Sequence, residues 1–163
     1  MAQAIGSASQ RASGFGSGGL PRNGGSAKGS GSSNRPRMTW KNNLNALVVD
    51  NERFSQHVEK GILRNFGVET EAVETGEAAV ELIASGATFN LIFIDISLPA
   101  MDGPRTAMQI RAMGVQSKII GLSSSLTEED EEEFLRAGVD KCIEKPLTTA
   151  WLVPVLRELD GQI

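Results

Sequence analysis

Two aspartates, a serine and a lysine stand where apolar runs of the chain stop. "ALVV" runs into Asp50 with Asn51 beside it, "LIFI" into Asp95, "KIIGL" into Ser123, and "CIE" into Lys145 with Pro146 behind it. Two carboxylates brought close together repel, and one pKa rises unless a cation intervenes. Mg²⁺ suits such a pair, since it takes oxygen ligands, often one or two carboxylates, and keeps several waters. An aspartate beside Mg²⁺ and an ammonium is a good acceptor for a phosphoryl group. Its oxygen attacks phosphorus while the metal, the ammonium and a hydroxyl share the charge on the transferred oxygens. Each residue alone has a blander explanation. An Asp after a strand often caps the next helix, a Lys-Pro pair is usually a surface turn, and Ser123 opens a serine triplet that would serve as a loop. The case rests on all of them reaching one place.

The elements between them make that meeting a topological expectation. "LNALVV", "VETEAV", "NLIFID", "SKIIGL" and "DKCIE" read as five strands. The third is apolar throughout, as a strand covered on both faces must be. Helices alternate with them. "RFSQHVEKGILRNF" spaces Phe54, Val58, Ile62 and Phe66 four apart and stops at Gly67. "TGEAAVELIAS" closes at Gly86. Pro104 sits at the tolerated start of "PRTAMQIRAM". Ser125 with Glu128 resembles a capping box ahead of "EEDEEEFLRAG", whose acids suit a helix N-terminus. "TTAWLVPVLREL" is the last helix, and Pro154, lacking an N–H, predicts a kink or a late start there. A βα unit repeated five times with short connections predicts an α/β, flavodoxin-like (βα)5 fold. Its doubly wound, five-stranded parallel sheet has order 2-1-3-4-5. In that order strands one and three are neighbours, and ligands bind beyond their carboxyl ends. Asp50 and Asp95 then share one edge with Ser123 and Lys145.

Composition bounds the rest. Of 16 basic residues, five (Arg11, Arg22, Lys28, Arg35 and Arg37) lie in the first 38, where there is no acid. The remainder carries 11 basic against 20 acidic residues, a formal charge of −9, which argues against nucleic acid as a partner. One cysteine, Cys142, excludes an intrachain disulfide and a zinc cluster and fits a reducing compartment. No apolar stretch reaches the roughly 18–20 residues of a membrane span. Residues 1–38, rich in Gly, Ser and Arg, are expected to form a disordered tail ahead of a domain at 44–163. Organelle import is the lesser reading of that tail, because the amphipathic pattern of a transit peptide is missing. Met38 is a candidate second translation start. The expected location is cytoplasmic, nuclear or both.

With these residues in view, the chain resembles the receiver domain of two-component response regulators, from Leu44 onward. "LVVDN", "DISLPAMDG", "IIGLSS" and "EKPL" carry the resemblance. It implies that Asp95 is the phosphoacceptor, Ser123 and Lys145 the assisting hydroxyl and lysine, and Asp50, Asn51, Asp95 and Ser97 the Mg²⁺ set. "MGV" before strand four and "CIEKPLT" after strand five look most like the short plant regulators called type C, which have no output domain. The chain's end at Ile163, directly after the last helix, agrees. The implied activity is to take a phosphoryl group from a histidine phosphotransfer protein or a hybrid histidine kinase. The protein would act as a phosphate sink or as a phosphatase toward the phosphohistidine partner. Ser97 and Ser125 are small, so water could reach the acyl phosphate.

Two departures qualify the resemblance. Asn51 stands where the family usually has a metal-binding aspartate, which predicts weakened rather than abolished metal binding. Cys142 stands where many receivers carry a Tyr or Phe whose rotation reports phosphorylation, and the chain has no Tyr at all. The competing reading is a pseudo-receiver, a protein-binding module that is poorly phosphorylated because of Asn51. A nucleotide-binding flavodoxin-like domain would need a Gly-rich loop after strand one, and "DNERFSQ" is not one. His57, on the first helix, reads as an exposed polar residue that could touch the phosphotransfer partner.

Overall fold

The computed structural model describes residues 40–162. The expectations for the tail at 1–38 lie outside the described residues. Within the described residues the order is β1 (Asn45–Val49), α1 (Arg53–Asn65), β2 (Glu69–Val73), α2 (Gly76–Ala84), β3 (Leu91–Asp95), α3 (Gly103–Ala112), β4 (Lys118–Ser123), α4 (Glu128–Arg136), β5 (Lys141–Glu144) and α5 (Thr149–Gln162). The strands form one parallel sheet in the order β2-β1-β3-β4-β5. This is the flavodoxin-like (βα)5 arrangement with the strand order expected from the sequence.

The sheet is buried on both faces, because successive side chains of a strand point to opposite sides. Ala46, Val48, Leu91, Phe93, Ile120, Leu122 and Ile143 pack with Leu63 of α1 and with Leu152, Val155, Leu156 and Leu159 of α5. Their neighbours Leu47, Val49, Ile92, Ile94 and Ile119 are equally buried. On the α4 side Gly121 lets β4 approach the Phe134 ring, which a Cβ at that position would meet at 2.6 Å.

Helix ends follow the chemistry of their sequences. Thr75 caps α2 by accepting from Ala78 N–H, and Asp102 caps α3 by accepting from Arg105 N–H. Gly67, Gly86, Gly114 and Gly138 follow α1 to α4 with positive φ, the conformation glycine adopts at least cost.

Three expectations need correction. The capping box of α4 is Thr127 with Asp130, not Ser125 with Glu128, because the helix begins two residues later than the serine allows. The late start at Pro154 does not occur: helix α5 starts at Thr149 and holds Pro154 inside it. Proline withdraws its own N–H donor there, and Leu152, Val155 and Leu156 bury against the sheet on either side. In α1 the buried residues are Glu59 and Leu63, while Phe54 is 75% exposed. The four-residue stripe therefore marks the flank of the helix and not the centre of its buried face.

Ordered contacts begin before Leu44. Trp40 Nε1 donates to Phe66 O at 2.6 Å, and the Asp160 carboxylate accepts from the backbone N–H groups of Lys41 and Asn42 at 2.9 Å each. Among the described residues no helix is long and apolar enough to cross a membrane.

Candidate functional site

The parallel register decides which side chains meet. Val49 of β1 pairs with Ile94 of β3, Asp95 with Leu122 of β4, and Ser123 with Glu144 of β5. Asp50, Asp95, Ser123 and Lys145 therefore emerge at one height along the carboxyl edge. They line an open cleft of about 570 Å³ together with Asn51 and Ser97. All six site residues anticipated from the sequence are in it. Asp50, Asp95 and Ser123 are buried.

Lys145 joins the two carboxylates. Its Nζ donates to Asp50 Oδ2 at 3.0 Å and to Asp95 Oδ1 at 2.9 Å. The remaining oxygens are fixed by the backbone: Asp50 Oδ1 accepts from Glu52 N–H at 3.0 Å, and Asp95 Oδ2 from Ser97 N–H at 3.1 Å. Ser123 Oγ accepts from Ser125 N–H at 3.2 Å. The turn after Asp95 is held tightly. Gly103 lies against the Asp95 carbonyl oxygen, where a Cβ would not fit, and Gly103 N–H donates to Ile96 O at 3.1 Å. That contact explains the glycine of "DISLPAMDG". The Lys145–Pro146 peptide is cis.

Burial raises the Asp95 pKa above the usual carboxylate range, although its bond to Lys145 and the lysine charge oppose the rise. Burial alone would lower Lys145, but its hydrogen bonds to Asp95 and Asp50 outweigh it and the ammonium is held more firmly than in water. Asn51 is exposed, and its Nδ2 donates a long 3.4 Å bond to Glu74 O. Cys142 is 7% exposed, and burial, aided by Glu131 and Asp130, pushes its thiol up to about 11. It is a small core residue rather than a nucleophile. His57 is exposed on α1.

One residue was missed. Glu59 of α1 is 2% exposed, and its Oε1 is a buried side-chain atom without a hydrogen-bond partner. Burial first, then Asp50, push its pKa up to about 9. Its sign in the sequence was an acid four residues before Leu63, on the face that α1 turns to the sheet.

The donor set suits a hard cation. The cleft offers the Asp50 and Asp95 carboxylates and the Asn51 amide oxygen, all oxygen donors with no sulfur or imidazole among them. Among the described residues no cluster of three or more Asp, Glu, His or Cys side chains forms a ready-made cage. Two carboxylates and open space for water fit Mg²⁺, which rarely takes an all-protein cage.

Comparison with known proteins places this geometry. The family model for the response regulator receiver domain matches residues 46–157, and the chain belongs to that family. It is 35% identical over 117 residues to two-component response regulator 24 of Arabidopsis thaliana, covering 72% of this chain and 84% of the relative. It is 36% identical over 118 residues to response regulator ARR22 of the same plant, covering 71% and 83%. These short plant regulators bear out the expected resemblance to type C. Among solved structures, the receiver domain of the sensor histidine kinase PA1611 from Pseudomonas aeruginosa PAO1 has a magnesium ion coordinated in its active-site cleft. It is 28% identical, with a TM-score of 0.64 over 74% of this chain and 99% of that one.

Proposed function

We propose that this receiver accepts a phosphoryl group on an Asp95 oxygen from the phosphohistidine of a phosphotransfer protein or a hybrid histidine kinase. The observation that carries it is the pair of Lys145 bonds, which gathers Asp50, Asp95 and an ammonium at one cleft floor. In the transfer the P–N bond to the donor histidine breaks, and a P–O bond to Asp95 forms. Lys145 moves from neutralising two carboxylates to neutralising a carboxylate and the arriving oxygens. The Ser123 hydroxyl and the Ser97 N–H stand where they can donate to phosphoryl oxygens. A divalent cation held by Asp50, Asp95, Asn51 and Ser97 would add charge neutralisation on those oxygens when bound. The exposed Phe54 and His57 on α1, just past the cleft residues Asp50 to Glu52, supply an apolar and polar surface suited to the donor protein.

The likeness to short plant regulators supports a role as a sink or as a phosphatase toward the partner. Ser97 and Ser125 are exposed at the cleft and leave water a path to the acyl phosphate. A single observation, Asn51 in place of an acid, favours the second reading of a protein-binding pseudo-receiver. The test is to incubate the protein with a phosphorylated histidine phosphotransfer protein and Mg²⁺. Wild type should gain an acid-stable, base-labile phosphoryl group that Asp95→Asn lacks, and equal labelling of the two overturns the assignment.

A further inference from the structure

Asp50 and Asn51 share one peptide group, which lies just past the end of β1 at Val49. The Asp50 carbonyl and the Asn51 N–H are rigidly coplanar, so whatever fixes that carbonyl also fixes the directions in which the two side chains leave the backbone. The ladder between β1 and β2 ends at the pair Val49 and Val73. Beyond it, Asp50 N–H donates to Val73 O at 3.1 Å. The Asp50 carbonyl finds its donor on a side chain. Gln56 Nε2, one turn into α1, donates to Asp50 O at 2.9 Å and to Val73 O at 3.1 Å. An amide nitrogen carries two N–H groups, and here each has a carbonyl, one from the end of β1 and one from the end of β2. Gln56 is half-buried and does not line the cleft. Few side chains could replace it: an ionised Glu has no donor, and Asn is one methylene shorter.

We infer that Gln56 is a positioning residue for the cation site: by clamping the Asp50–Asn51 peptide to the end of β2, it sets how both side chains enter the cleft. The inference deepens the proposed function and rests on its reading of Asp50 and Asn51 as metal ligands. Without the Gln56 donors, the Asp50 carbonyl loses the bond that holds it, and the peptide plane is free to turn toward water. The Asp50 carboxylate keeps Glu52 N–H and Lys145, but the backbone beneath it shifts, and Asn51 shifts with it. Asn51 is neutral, so the site has less Coulomb energy to offset a misplaced ligand. Mg²⁺ demands near-ideal octahedral distances, and residues that orient a ligand typically change affinity 10–100-fold when lost.

Gln56→Met keeps the length of the side chain and removes both donors, and Gln56→Leu serves if the Met variant does not fold. Arg111→Ala is the control, because Arg111 bonds the chain at the start of β4, the end away from the cleft. Mg²⁺ affinity is read by calorimetry at pH 7, and folding by melting in chelator. Gln56→Met should bind Mg²⁺ at least about tenfold more weakly while melting cooperatively. Arg111→Ala should melt earlier and keep wild-type affinity. An affinity within about threefold of wild type in Gln56→Met overturns the inference. So does an equal weakening in Arg111→Ala, because lost stability alone would then account for the effect. Wild type that takes neither Mg²⁺ nor phosphoryl groups defeats the receiver reading instead. Gln56 is then judged in metal-free protein by the ¹³C resonance of the Asp50 carboxyl and the side-chain ¹⁵N resonance of Asn51. Gln56→Met should move both, and resonances that stay in place overturn the inference.

Discussion

Lys145 Nζ and Asp95 Oδ1 are 2.9 Å apart across 50 residues of chain, and the same ammonium is 3.0 Å from Asp50. With only 10% of the Lys145 side chain exposed, this bond is screened far less than a surface ion pair. On the proposed function Lys145 would compete with a cation for the carboxylates before transfer and stabilise charge during it. Lys145→Ala should separate the two roles. Phosphoryl transfer from a phosphohistidine donor should fall about 10²-fold, the scale for losing one such stabilising group, while Mg²⁺ binding should hold or tighten. Rapid-quench labelling and calorimetry on the same preparation check both. An unchanged transfer rate would remove Lys145 from the mechanism.

Much of this arrangement was legible in the sequence. Asp50 and Asp95 are conspicuous because each ends a buried apolar run, and alternating strands and helices leave few topologies that would not bring them together. Glu59 was not legible. The eye follows the apolar stripe Phe54, Val58, Ile62, Phe66, whereas the helix buries the neighbouring row holding Glu59 and Leu63. Packing against a sheet fixes rotation about the helix axis, and periodicity alone does not. The Trp40 and Asp160 contacts and the hub at Arg111 were hidden for a related reason: each joins a side chain to distant backbone groups.

Arg111 is a test of that last kind of bond. Its guanidinium donates to Gly138 O, Val115 O and Ser117 O at 2.8–2.9 Å and to Asp140 Oδ2 at 2.9 Å. The same Asp140 oxygen accepts from Ile119 N–H at 2.8 Å, at the start of β4. Arg111→Ala leaves three carbonyls and a carboxylate without this donor, and the protein should lose about 2–4 kcal/mol in urea denaturation. Arg111→Lys should recover little, because one ammonium cannot span the fork. A loss under about 0.5 kcal/mol would show that water replaces the guanidinium.

The titration of Glu59 sets the sign of a pH dependence in metal-free protein. Its ordinary value is 4.5 and its value in the fold is about 9. Between those limits the folded state holds a proton that the unfolded state has released, so stability falls as pH rises through that window. The contribution is complete below the unfolded value and gone above the folded one. Asp95, also raised, adds the same sign at the acid end. Lys145, raised above an already basic value, stays charged throughout this range and adds nothing to the slope. Urea midpoints in chelator should decline from pH 5 to 9, with a slope of at most about 1.4 kcal/mol per pH unit from this group. Glu59→Gln should flatten the decline. Stability that rises across the window in wild type would contradict the buried, protonated acid.

Asn51 decides between a working receiver and a binding module. It lines the cleft beside Asp50 and offers one neutral carbonyl oxygen where an aspartate offers an anion. At 4 Å and an effective dielectric of 20, one pair of unit charges interacts by about 4 kcal/mol. Desolvation and repulsion among three carboxylates would cancel part of this for Asn51→Asp. If about 1.4 kcal/mol survives, Mg²⁺ binds about tenfold more tightly. A working receiver should be labelled at millimolar Mg²⁺ as wild type, and the Asn51→Asp variant should need less metal for the same labelling. A pseudo-receiver should stay unlabelled until the acid is restored. The intact geometry around Lys145 favours the first outcome, since the groups that bear the transferring charge are all in place. An Mg²⁺ affinity unmoved by Asn51→Asp would show that residue 51 is not a ligand, and the cation would then rest on Asp50, Asp95 and Ser97.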